Sequence, residues 1–460
     1  MTLPEIGDAS RLHLSRQEAV RIGQRVERFY RDQGRLLTDP QLDRYLDNLG
    51  TALLAHADPV DHDYRLFWVK SPVINAFAAP AGYIGINTGL LLATDDEDQL
   101  AGVLAHEIAH VTQRHIARAI ADARRMTLPT IAASLAGALL IAADPSAGSA
   151  VLAGVGAANA QRRINYTRQN EREADRIGEE LMVRAGFKAE AMGAFFAKLQ
   201  RQSRGNRDIP GYLLTHPRPV ERIADTWQLR PGGRPRNSRN PLDHALAKAR
   251  AQVLTEPDSQ VLLRHFAAGQ GGSSPGDDTS AGLANRYGYA LTLKGMGHYQ
   301  RATTVVAELR RLSPNTLAFR IEEAELALAA GQEARGFQLF QDHRALFGDD
   351  YALAVHYAQA LVNHGRPERA MAVLQPHLDR AQRGDAELYA LYAQAARQGG
   401  DAVATHAALA EYHYLLGDYR QAINQAQYGL RTPAITPFQA ARLRARLREL
   451  QALDRAAKSG

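Results

Sequence analysis

The sequence predicts an α+β chain in two parts. A mainly helical N-terminal region is built round a small β-sheet, and an all-α superhelix of repeated helical units follows it. Apolar residues recur with helical spacing over most of the chain. Between residues 64 and 91 the period changes to two, with many β-branched and aromatic residues. Beyond residue 280, glycines and small residues recur every 34 positions. The 460 residues suffice for two or three domains.

The first element, SRQEAVRIGQRVERFYRDQG, opens on Ser15 with Glu18 three residues on, a capping-box pattern, and stops at Gly34. DPQLDRYLDNLGTALLAHA is a second amphipathic helix. YRLFWVK and INAFAAPAGYIGINTGLL then read as strands, with Pro80, Ala81 and Gly82 as a turn and a last strand over 83–87. A helix starts at TDDEDQL, where Thr94 and Glu97 form a second capping box and the acidic first turn suits the positive dipole end. Leu100, Val103, Leu104, Ile108 and Val111 make its apolar stripe. NEREADRIGEELMVRAG is a further helix. Residues 127–160 carry one charge, Asp144, and are rich in Ala, Gly and Ser, with Pro129 and Pro145 interrupting them. Such a segment inserts weakly into a bilayer, so a buried or amphipathic helical hairpin is predicted in place of a membrane span. The first domain is expected to cover 1–230, a basic linker 231–243, and the second domain 244–460.

In the second domain Gly297, Gly331, Gly365 and Gly399 are each 34 apart. Ala290, Ala324 and Ala358 share that spacing, as do Leu293, Ala327 and Leu361. A Gly turn before a helix with a fixed small residue, at this period, is the tetratricopeptide signature. Gly417 falls 18 after Gly399 and predicts an extra helix or an atypical terminal repeat. GQGGSSPGDDTSAG, 269–282, reads as a loop inside this domain.

Composition narrows the chemistry. There is no cysteine, so disulfides and thiolate metal ligands are excluded and any metal must use histidine and carboxylate. The absence also fits an oxidising compartment. The net charge of +6 comes mainly from arginine spread along the chain. That argues against a nucleic-acid groove and leaves room for peripheral membrane contact. MTLPEIGDAS has no basic or apolar leader pattern, so a cytosolic chain or a mature exported one is expected.

The stretch VLAHEIAHVTQRH carries the chemistry. His106 and His110 are four apart, so both imidazoles leave one helix face and can share a metal. Glu107 between them can reach water at that metal, the H-E-x-x-H pattern of two zinc ligands and a general base. The bland alternative is a solvated His/Glu face. His115 is off this register and is read as a surface residue. A catalytic zinc needs a third protein ligand. NEREAD offers Glu171, with Asp175 four residues on to accept the N–H of a ligand histidine. Ala174 and Gly178 on the same side would let this helix approach closely, whereas Arg172 and Arg176 favour an ordinary ion-paired surface. Glu173 is a second candidate ligand.

HEIAH followed by EREAD resembles the gluzincins of the HtpX and CAAX-prenyl-protease type, whose motifs are H-E-x-x-H and E-x-x-x-D. INAFAAPAGYIGINTGLL, YTRQNEREADRIG and THPRPVERI agree with that family. With the C-terminal repeats, the likeness covers nearly the whole chain and points to the family's periplasmic branch. The repeat half is the less specific part. The resemblance implies one Zn2+ per chain on His106, His110 and Glu171, Glu107 as base and Asp175 as the acid behind a ligand. It implies His216, in a THPRP segment that by itself is only a turn with rigid Pro217, as a fourth ligand that holds the enzyme latent. It also implies Arg222 as an oxyanion partner and 127–160 as a lid or plug. The activity implied is a zinc endopeptidase that degrades misfolded or stalled outer-membrane proteins and assists the β-barrel assembly machinery through its repeats. An extended substrate is expected to add along strand 83–87. Two other readings stand beside this one. One is a chaperone or scaffold with a normally closed metal site; the other is an integral-membrane protease, against which counts the single marginal apolar segment.

Overall fold

The structure, a computed structural model, describes residues 15–60, 63–124, 157–205, 211–216, 241–271, 278–378, 385–433 and 435–458. It has the predicted α+β composition, with one small sheet and otherwise helices. The chain divides into two compact units, Met1–Leu37 with Tyr45–Ala251, and Thr38–Arg44 with Gln252–Gly460.

In the first unit, α1 (Arg16–Asp32) starts with the expected capping box: Glu18 N–H donates to Ser15 Oγ, and Ser15 N–H to Glu18 Oε2 at 2.8 Å. Its Val26 and Tyr30 cover Phe67, Val69, Phe77 and Ala79 of the sheet. The strands are β1 (Leu36–Leu37), β2 (Arg65–Val69), β3 (Ala76–Ala79) and β4 (Tyr83–Asn87), with α2 (Pro40–Leu54) between the first two. The spatial order is β1-β2-β4-β3, with β2 and β4 parallel and the other pairs antiparallel. β4 is therefore hydrogen-bonded on both sides and cannot accept a substrate strand, contrary to the expectation for 83–87. Alternation in the sequence marks strands but not their order; among the described residues the edges are β1 and β3. The turn from β3 into β4 bends sharply at Ala81 (φ 60°) and Gly82 (φ 75°).

After α3 (Thr88–Ala93) comes α4 (Glu97–Thr112). Thr94 does not cap α4: its hydroxyl donates to the Leu91 carbonyl and closes α3. Asp96 is the cap, accepting from Gln99 N–H at 2.9 Å, while Gln99 Oε1 takes the Asp95 N–H. The intervening short helix is what moves the cap by two residues. α4 is buried from Glu97 to Val111 on every side. α5 (His115–Arg124), α6 (Ala157–Ala185), α7 (Glu190–Gly205) and the one-turn α8 (Gly211–Thr215) follow, and α4 packs on α6 and α7. The small residues do what their pattern promised. Ala174 is fully buried, and a Cβ at Gly178 would lie 3.1 Å from the His106 backbone nitrogen and 3.0 Å from Met192 Cε. Gly178→Val is accordingly expected to destabilise the first unit by about 1–3 kcal/mol, read as a lower urea midpoint. The apolar segment lies outside the described residues up to 156, and its last four residues begin α6. Among the described residues no helix is long and apolar enough to cross a membrane.

The expected linker gives way to helix at Pro241, where α9 (Pro241–Thr255) begins, so 241–243 are a first turn. Residues 231–240 lie outside the described ones. α9 belongs to the first unit as far as Ala251, and the second unit runs on from Gln252 through α10 (Ser259–Gly271), α11 (Ser280–Gly295), α12 (Tyr299–Leu312), α13 (Leu317–Ala329), α14 (Glu333–Phe347), α15 (Tyr351–Asn363) and α16 (Pro367–Leu374). It ends with α17 (Ala386–Gln398), α18 (Ala402–Leu415), α19 (Tyr419–Leu430) and α20 (Pro437–Lys458). The predicted loop 269–282 is thus trimmed by helix at both ends. Successive helices pack on one another, consistent with a tetratricopeptide-like array. Gly297, Gly331 and Gly365 sit in its turns at φ 78°, 76° and 66°, where only glycine is unstrained. In the fourth unit the left-handed residue is Gly400 (φ 76°), one place after the 34-residue register, because Gly399 still caps α17 in helical geometry. Ala290, Ala324 and Ala358 are buried between helices, as their spacing requires. Gly417 (φ 72°) turns α18 into α19, which accounts for its phase.

Candidate metal centre

α4 presents His106 and His110 from one face, α6 presents Glu171 and Asp175, and His216 stands just past α8. All five are buried. One donor atom from each of His106, His110, Glu171 and His216 falls within 4.8 Å of every other. His106 Nε2 is 3.0 Å from His110 Nε2 and 3.3 Å from His216 Nδ1. Glu171 Oε1 is 3.4 Å from His110 Nε2 and 3.1 Å from His216 Nδ1, and Glu171 Oε2 is 3.5 Å from His106 Nε2. Donors at about 2.1 Å from a tetrahedral ion stand about 3.4 Å apart. The residues present therefore fit a four-coordinate cation of the nitrogen-and-oxygen type.

Around the donors, each group has a partner that sets its state. His106 Nδ1 lies 2.9 Å from Asp175 Oδ1. Burial opposes protonation of His106, but Asp175 and Glu171 outweigh it and raise its pKa to about 9. Burial, with the neighbouring His106, lowers that of His110 to about 3, which leaves its lone pair free for a cation. Glu171 would be raised by burial, yet His216, His106 and His110 hold it well below the ordinary range. Glu107 differs. It is fully buried, neither carboxylate oxygen has a hydrogen-bond partner, and His216 Nε2 is 3.3 Å from Oε1. Burial raises its pKa, opposed by His216, His106 and the nearby Ala78 backbone. A carboxylate with that environment is suited to accept and return a proton.

Two sequence expectations fail here. His115 is not a surface residue: it is 3% exposed, with Nδ1 2.8 Å from His110 Nδ1. α4 stops at Thr112, so counting His115 along a continuing helix put it on the wrong face. Glu173 is not a ligand, since its carboxylate lies 3.1 Å from His115 Nε2, away from the donor set. Arg222 lies outside the described residues. Sequence reading also missed the bed under His216. Its ring stacks on Tyr212 at 4.6 Å and 24°, and Tyr212 stacks on Phe196 at 5.5 Å and 9°. Tyr212 N–H donates to the Ile74 carbonyl at 2.9 Å, which ties α8 to the segment before β3. The i, i+4 spacing of Tyr212 and His216 in GYLLTH was the available signal.

Comparison with known proteins agrees with this geometry. Residues 40–228 match the peptidase family M48. A β-barrel assembly-enhancing protease of Escherichia coli K12 is 32% identical over 457 residues, covering 98% of this chain and 92% of that protein. That of Yersinia pestis is equally similar, at 32% over the same shares. A mitochondrial metalloendopeptidase, OMA1, of Schizosaccharomyces pombe is 29% identical over 183 residues, 39% of this chain and 50% of that one.

Proposed function

The chain belongs to peptidase family M48, and from that premise we propose that it is a zinc endopeptidase of the periplasm that degrades misfolded or stalled outer-membrane proteins. We assign its repeat unit the task of assisting β-barrel assembly, through contact with the assembly machinery and with unfolded outer-membrane proteins. The relatives' name, β-barrel assembly-enhancing protease, supports this choice of client. The observation that carries the enzymatic reading is the convergence of His106, His110, Glu171 and His216 beside Glu107.

In this reading His106, His110 and Glu171 hold the zinc. Asp175, with Oδ1 2.9 Å from His106 Nδ1, favours the tautomer that carries its proton on Nδ1 and leaves Nε2 for the metal. When bound, zinc supplies Lewis acidity that makes water a better nucleophile and a peptide carbonyl a better electrophile. Glu107 takes the proton from the attacking water and passes it to the leaving nitrogen. Arg222 is assigned the developing oxyanion. An extended substrate adds to the edge of β3 at 76–79, where main-chain pairing gives breadth of sequence. His216, through Nδ1, completes the donor set and keeps the resting enzyme latent, which also accommodates the scaffold reading as the latched state.

Treating the full chain with 1,10-phenanthroline should abolish cleavage of an unfolded outer-membrane protein, and added Zn2+ should restore it. Undiminished cleavage by demonstrably zinc-free protein would overturn the assignment.

A further inference from the structure

We propose that His115 and Glu173 are positioning residues of the metal centre, forming a His110–His115–Glu173 chain that fixes His110 as Asp175 fixes His106. The proposal rests on reading His110 as a metal ligand. His110 aims Nε2 at the donor set, 3.0 Å from His106 Nε2, so its proton must be on Nδ1 when a cation is held. That Nδ1 is 2.8 Å from His115 Nδ1, which must then be the acceptor. His115 in turn carries its proton on Nε2, 3.1 Å from Glu173 Oε2. Every donor in the chain meets an acceptor, and only this tautomer set satisfies all three groups.

The backbone is shaped for it. Between α4 and α5, Arg114 adopts φ 53°, a conformation that side-chain-bearing residues rarely take. This turn folds the His115 ring back under His110, with centroids 4.8 Å apart. Arg118, whose Nε donates to the Gln113 carbonyl at 2.8 Å, lies 3.5 Å from Glu173 Oε2 and steadies that carboxylate. The EREAD segment then has three separate tasks: Glu171 in the donor set, Asp175 behind His106, and Glu173 behind His110 by way of His115.

The test compares the full-length parent with His115→Phe, Glu173→Gln and the double variant. Zn2+ affinity is measured by competition with a chromogenic chelator, and the visible spectrum is recorded with Co2+ substituted. His115→Phe should weaken Zn2+ binding about 10–100-fold and shift the Co2+ band. Glu173→Gln, at a side chain 31% exposed, should keep the fold and weaken binding less. The double variant should be no weaker than His115→Phe alone, because Glu173 acts through His115. A packing role alone would lower Tm without moving the Co2+ band. Parent-like affinity and spectrum in His115→Phe, or losses that multiply in the double variant, would overturn the chain. If His115→Phe does not fold, an unchanged affinity and Co2+ band in Glu173→Gln overturns it. A parent that binds no Zn2+ would overturn both this proposal and the zinc reading; a parent that binds it beside unaffected variants overturns this one only.

Discussion

Glu107→Gln should lower kcat/KM for an unfolded polypeptide about a thousandfold while the chain keeps its zinc. A positioned general acid–base contributes about 10²–10⁴-fold, so the loss corresponds to roughly 4 kcal/mol of barrier. Metal retention follows from position: Glu107 is outside the donor set, with Oε1 beside His216 Nε2 at 3.3 Å. The fold should tolerate the change as well. The native carboxylate is fully buried without hydrogen bonds to its oxygens, so an uncharged group of the same shape removes a desolvated charge. Elemental analysis for zinc and steady-state kinetics on one preparation check both halves. Parent-level turnover with zinc still bound would remove Glu107 as the base.

Some of this was legible in the sequence because the information is local. The i, i+4 spacing of His106 and His110, and of Glu171 and Asp175, fixes what one helix face can offer. Gly178 beside that pair announced the close approach of α6 to α4. The 34-residue register located the left-handed turns to within one residue, missing only where Gly399 and Gly400 offered two choices. What failed depended on where regular structure stops or how strands are ordered. Thr94 looked like a cap because the short α3 was not separable from its neighbours. Strand 83–87 looked like a free edge because a parallel β2–β4 pair leaves no mark in either strand alone. His115 was misplaced because a single left-handed residue, Arg114, breaks the helical count. Tertiary closure decides each of these, and no local period encodes it.

Replacing His216 is the sharpest test of how the centre is regulated. His216→Ala should raise basal cleavage about tenfold. One ring does two things in the resting geometry: Nδ1 joins the donor set, 3.1 Å from Glu171 Oε1, and Nε2 sits 3.3 Å from the Glu107 carboxylate. On the proposed reading, one ring thus takes the position needed by water and stands against the base that would activate it. Stacking on Tyr212 and the Thr215 hydroxyl's bond to Asn75 Oδ1 hold the end of α8, and with it His216, in place. A closed state favoured by about 1.4 kcal/mol reduces the competent fraction about tenfold, and a gain of that size is what the expectation assumes. Zinc should remain bound on His106, His110 and Glu171, with weaker affinity for want of the fourth donor. Tyr212→Leu, which removes the stacking bed and leaves His216 intact, should raise basal cleavage by a smaller factor. The two substitutions separate a latch from a substrate contact. A latch gives faster turnover in both, whereas a histidine that serves only to bind substrate gives slower cleavage in His216→Ala. Unchanged activity together with unchanged zinc affinity in His216→Ala would leave His216 with no part in the centre, and the four-donor geometry would then describe a contact without a regulatory consequence.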